Sequence, residues 1–219
     1  MTPVQRSVRI LGLLFLVTAV CGGFGEGYVP GKIIVAGNGP ATMDNVAAHE
    51  MLFRAGFAAY LAEAMCDVAI ALIFYALLRP VQKDLSLAAA FFGLVGTAIY
   101  AIGEASLMTM LVRHEAARFA QLLFAYAGEF SLLFYGVATT IRGYLIYRSQ
   151  YFPKWLGVLL CIAGVSFASK TYTFVLAPAY SSDFLLAPMF VSLLAMIVWF
   201  LTKGVDVEKW DATVHESSS

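Results

Sequence analysis

Residues 48–80 read "AHEMLFRAGFAAYLAEAMCDVAIALIFYALLRP". Between Met51 and Leu78 the only charged residues are Arg54, Glu63 and Asp67. The apolar remainder exceeds the ~20 helical residues that cross a bilayer core. The run stops at Arg79-Pro80, where proline cannot continue a helix. A membrane span is predicted over about residues 49–79. Its two acids, one helical turn apart, are expected to face other protein groups and not lipid.

The rest of the chain repeats this pattern. Of its 219 residues, 61% are hydrophobic and 13% charged, against roughly 25% charged in soluble domains, and the mean hydropathy is +0.80. Apolar runs predict five further spans, at about 9–29, 85–112, 119–147, 154–177 and 184–204. The period-two alternation of a membrane β-barrel is absent from these runs. The expected fold is an all-α integral membrane bundle of six transmembrane helices over residues 1–204, followed by a polar cytoplasmic tail, 205–219, expected to be frayed. The first run is expected to be a retained span and not a cleaved signal, because no small-x-small site follows it. "GFGEG" (23–27) is expected to be its flexible end, and 30–48 a loop carrying the turn signal "GNGP".

Orientation follows from Lys and Arg in the short flanks. Arg6, Arg9, Arg79, Lys83, Arg142, Arg148, Lys154, Lys203 and Lys209 make nine on one side; Lys32, Arg54, Arg113 and Arg118 make four on the other. Both termini are therefore expected in the cytoplasm, with the chain in the plasma membrane. Net charge is zero and no basic cluster occurs, so nucleic acid is not an expected partner. The expected partner is the lipid bilayer.

The ionisable residues inside the spans are the candidates for function. On a helix Glu63 and Asp67 lie about 40° apart, and His49 falls on the same stripe five turns earlier. His49 is ~21 Å from Glu63 along the axis at 1.5 Å per residue, so one straight helix cannot bring the two to one metal. His49-Glu50 resembles the start of a zinc helix, but no second His follows at the needed spacing. That leaves His49 a weak metal candidate. His114 and His215 fall in a loop and the tail, and no cofactor is expected. Cys21, Cys66 and Cys161 sit in apolar runs at no metal or redox spacing and are expected to be packing residues. Trp155, Trp199 and Trp210 are expected to be interface anchors.

Other spans carry comparable stripes: Gly93, Thr97, Tyr100 and Glu104; Glu129, Gly136, Thr140 and Gly143; Ala163, Ser166, Lys170 and Thr173. Small residues mark close helix approach, so these faces are expected to look at one another. Each charge at a helix centre costs roughly 2.5–3.5 kcal/mol on insertion scales. Several acids therefore need partners, protons or water.

"RILGLLFLVTAVCG" (9–22), the 48–81 segment with His49, Arg54, Gly56, Asp67 and Leu78-Arg79-Pro80, and "GYLIYRSQYFPKWLGVLLCIAG" (143–164) together resemble the bacterial domain-of-unknown-function 4386 family. The resemblance reaches over about residues 9–204. It implies a six-helix integral membrane protein and transfers no catalytic residues. Glu104 and Lys170 match no part of the family pattern.

The leading expectation is a polar, acidic intramembrane cavity open to the outside, binding a proton, a cation or a small polar ligand and suited to transport. Glu63, Asp67, Glu104 and Glu129 are its expected acceptors and Lys170 their internal counter-ion. The alternatives are a membrane-embedded lipid hydrolase, and a non-enzymatic partner or sensor subunit whose charges pair with a neighbour's helices.

Overall fold

A computed structural model describes residues 2–112 and 117–218. Arg113 and His114 lie outside the described residues. Six helical segments are long and apolar enough to cross a membrane: Pro3–Ile33, Glu50–Leu78, Lys83–Leu111, Ala117–Arg148, Lys154–Leu176 and Asp183–Thr202. Among the described residues there is no strand. The fold is all-α, a multipass membrane bundle.

The first segment joins α1 (Pro3–Gly22), a π-helical turn (Gly23–Tyr28) and α2 (Val29–Ile33). "GFGEGY" therefore does not end the span as expected. Its glycines let the helix widen by one residue per turn and continue. A short helix α3 (Gly39–Ala48) occupies much of the expected loop; the Asn38 side chain caps it by accepting from the Ala41 amide at 3.0 Å. The remaining spans are α4 (Glu50–Leu78), α5 (Lys83–Met108), α6 (Ala117–Arg148), α7 (Lys154–Leu176) and α8 (Ala187–Thr202). Each packs on its neighbours in chain order, and α8 returns to α1, closing a ring.

The tightest seam is α6 on α7. A Cβ placed on Gly143 would stand 2.7 Å from the Cys161 nitrogen and the Gly157 carbonyl, and one on Gly136 2.7 Å from the Gly164 carbonyl. Only glycine lets these backbones touch, which is how membrane helices gain contact without a hydrophobic driving force.

Two apolar clusters bracket the bundle. One, at the end bearing both termini, gathers Val8, Leu11, Phe74, Leu78, Leu145, Ile146, Leu156 and Phe200. The other, at the opposite end, gathers Val29, Ile33, Met43, Val46, Phe53 and Met110 beneath α3.

The terminus-bearing end is also latched. Gln5 Nε2 donates to the Lys203 carbonyl at 3.1 Å and Gln5 Oε1 accepts from the Val205 amide at 3.0 Å. Arg9 donates to the carbonyls of Phe200 at 3.0 Å and Thr202 at 2.9 Å, the last acceptors of α8. Trp155 and Trp199 meet edge to face at this end. The tail is not frayed: Val207–Ser218 forms α9, which includes His215, and its Trp210 packs against the adjacent apolar cluster.

Candidate functional site

The π-helical turn sets the geometry of the first candidate group. Tyr60 on α4 donates to the Gly25 carbonyl at 2.6 Å, and Gly25 is close enough that a Cβ there would meet the Tyr60 ring at 3.0 Å. The widened turn carries Glu26 toward α4 and α5, within interaction range of the Tyr100 hydroxyl and the Glu63 carboxyl. Glu63 rests against Gly22, whose missing Cβ leaves 3.3 Å to Oε1, and its Oε2 has no hydrogen-bond partner. Glu104, buried on α5, lies within electrostatic reach of Glu26 and Asp67, and Glu63 within reach of all three. Glu26 itself is exposed on the flank of the bundle, while Glu63 and Asp67 are half-buried.

Asp67 lies one turn further along α4 and is better partnered. It accepts from the Tyr135 hydroxyl at 2.8 Å, and the Thr97 hydroxyl lies 3.4 Å from the same carboxylate oxygen and 3.0 Å from the Tyr135 oxygen. Its electrostatic partner is Arg142, two turns beyond Tyr135 on α6. Arg142 is 91% buried, with its guanidinium 5.1 Å from the Phe74 ring centroid, a cation–π distance. Gly93 on α5 makes room for it, since a Cβ there would stand 2.7 Å from Nη2.

Glu129 and Lys170 form a separate group between α6 and α7. Lys170 Nζ stands 2.9 Å from Glu129 and 3.2 Å from Asp183, and donates to Ser181 at 3.1 Å. The Thr171 hydroxyl fixes the same seam by donating to the Glu129 carbonyl at 2.7 Å. Ser166, one turn before Lys170, donates to the Leu185 carbonyl.

The structure thus brings together Glu63, Asp67 and Glu104, and sets Glu129 and Lys170 apart as their own pair. The physical reason lies in α6. Gly136 and Gly143 turn that face to α7, and Glu129 goes with it, whereas Tyr135 and Arg142 face α4 and α5. Lys170 is therefore the counter-ion of Glu129 and Asp183, and the cation facing Asp67 is Arg142.

Arg142 counts among flanking charges when the sequence alone is considered, because "RGYLIYR" ends a span. Its position seven residues after Tyr135, on one helical face, is the signal for its burial. Glu26 was hidden in a glycine-rich stretch that resembles a breaker; no periodicity rule anticipates the extra residue of a π turn.

His49 is exposed at the start of α4. Among the described residues no three His, Cys, Asp or Glu side chains converge on one point at metal-ligating spacing. The acids make a pairwise network, not a chelating shell. Cys21, Cys66 and Cys161 are free thiols, and the Cys161 thiol lies 3.5 Å from the Thr140 carbonyl.

Fold and polar layer together define a multipass α-helical membrane protein with ionisable groups inside its bundle. The profile of a family described as a domain of unknown function, DUF4386, matches residues 10–204, and the chain belongs to that family. It is also 34% identical over 102 residues to an uncharacterised protein of Archaeoglobus fulgidus, covering 46% of this chain and 56% of the relative. The chain thus spans about half the length of that curated relative. No solved structure matches.

Proposed function

We propose that the protein holds protons on a layer of carboxyl groups inside the membrane, and that this layer is its functional site. The observation that carries the reading is the charge balance around Glu63. Glu26, Glu63, Glu104 and Asp67 lie within mutual electrostatic reach, and Arg142 is the cation beside them. Ionised carboxylates in such surroundings cost several kcal/mol each unless neutralised. Protons neutralise them with no further ligand, and the pairwise spacing of the acids favours shared protons over a chelated metal ion. A proton-binding layer suits proton-linked transport or sensing of a small polar or cationic ligand.

The orientation that fits is both termini in the cytoplasm of a plasma membrane. With Arg142 withdrawn into the bundle, the flanking count still stands at eight against four.

Proton release from protein in nanodiscs, counted by difference titration against a Glu63→Gln, Glu104→Gln double variant, tests the reading. The wild type is expected to release protons that the variant does not. Superimposable titration curves would overturn it, and a curve moved by sodium or potassium would mean that a monovalent cation occupies the layer.

A further inference from the structure

Arg142 is a buried cation whose Nε has no hydrogen-bond partner. Its carboxylate partner, Asp67, holds Tyr135 and Thr97 at one oxygen, Oδ2, and makes no direct hydrogen bond to the guanidinium. A residue serving only to hold α6 against α4 would gain more from a direct bidentate pair, and a guanidinium left partly unpaired in such a place is costly. Its position says what it does. On one side lie Asp67, Glu63, Glu26 and Glu104. On the other begins the dry cluster of Phe74, Leu78, Leu145, Ile146 and Phe200, each no more than 2% exposed. Arg142 sits on the boundary, over the Phe74 face.

We infer that Arg142 is the electrostatic stop of the acid layer, a fixed positive charge that prevents protons and cations from passing toward the terminus-bearing end. This rests on the proton-holding reading. A fixed guanidinium beside the last carboxylate repels an incoming cation most strongly where dielectric screening is weakest. The titratable groups that face it are Asp67 on α4 and Tyr135 on its own helix; α5 presents Gly93 and Thr97, and α7 presents no charge to it. Exchange with the layer then takes place on the side away from the terminus-bearing end. Arg142 is a positioning residue for that one-sidedness.

The test is proton flux into liposomes holding the reconstituted protein and an entrapped pH dye, driven by a potassium diffusion potential. Wild type and Arg142→Lys are expected to stay tight. Arg142→Gln is expected to raise flux about tenfold or more, the change that ~1.4 kcal/mol of lost barrier produces. Adding Asp67→Asn to Arg142→Gln is expected to return flux toward wild type, because the carboxyl next in line is gone. Rescue by lysine separates a charge barrier from simple packing. Should Arg142→Gln fail to fold, Arg142→Met serves, since it keeps an apolar stem beside Phe74 and removes the charge. Unchanged flux in a folded Arg142→Gln or Arg142→Met protein would overturn the inference. Difference titration of the same samples separates the two claims: the proton-holding reading falls if the wild type releases no protons, whatever the flux, and the barrier falls if flux stays low while release persists.

Discussion

The Tyr60 hydroxyl and the Gly25 carbonyl, 2.6 Å apart, tie the π-helical turn of the first span to the middle of α4. Single π turns inside α-helices recur at functional sites. Here the bond fixes the backbone beside Glu26, the residue that carries the acid layer to the bundle flank.

Tyr60→Phe removes that donor and leaves the carbonyl in an apolar setting. A cost of about 0.5–1.5 kcal/mol is expected, read as a lower midpoint of thermal unfolding in detergent. Proton release from the acid layer should change as well, since Glu26 loses its anchor. A stability loss with release unaltered would show that the π turn and the acids are independent.

Lys170 is the second case in which one side chain answers for others. Its side chain is 6% exposed and bridges Glu129, itself little exposed, and the almost fully exposed Asp183. Lys170→Met strands the Glu129 carboxylate and is expected to cost ~3–5 kcal/mol, as for a buried pair with one partner removed. The double variant Lys170→Met, Glu129→Gln should recover most of that loss, and Asp183→Asn should cost little. A double-mutant cycle on unfolding free energies checks all three; additive losses would contradict the pairing.

Glycines divide sharply by what surrounds them. Gly143→Ala would press a methyl onto the α7 backbone and is expected to cost about 1–3 kcal/mol. Gly31→Ala meets nothing within 4 Å and is expected to stay within about 1 kcal/mol of wild type, with helix propensity in its favour. Parallel thermal melts of the two proteins measure the contrast.

How much of this was legible in the sequence varies with the kind of signal. Five of the six spans were readable to within two residues, because lipid imposes a minimum apolar length that chance seldom supplies, while the first runs past its expected end through the π turn. Proline at position 80 placed the end of α4 within one residue or two. The pairing of the stripes was not readable. Whether Glu129 looks at α5 or α7 depends on which face of α6 carries the glycine seam, and both faces of that helix hold small and polar residues. The tail hid its helix for a different reason: α9 is short and polar, and it is held by tertiary contacts through Trp210 and through the Asp206 amide, which donates to the Tyr151 carbonyl at 3.1 Å.

Asp206 itself offers a pH prediction. Its side chain accepts from the Lys209 amide at 3.3 Å and pairs with the Lys209 ammonium at 3.1 Å. The hydrogen bonds from Lys209 hold its carboxyl below the usual aspartate range. A depressed carboxylate contributes stability above its unfolded value and loses it as pH falls through the folded one. The first turn of α9 should therefore stay ordered at neutral pH and fray only in acid, below the ordinary aspartate range. Amide exchange at Lys209 followed by NMR checks this, and Asp206→Ala should fray the turn at every pH.

The central claim is that carboxyl groups from the first span, α4 and α5 share protons inside the membrane. Infrared spectroscopy of protein with isotopically labelled glutamate, in nanodiscs at neutral pH, addresses it most directly. The account predicts a protonated-carboxyl band that shifts with the label and weakens in Glu63→Gln and Glu104→Gln. A spectrum with only ionised glutamate, or a band that neither variant touches, would contradict it.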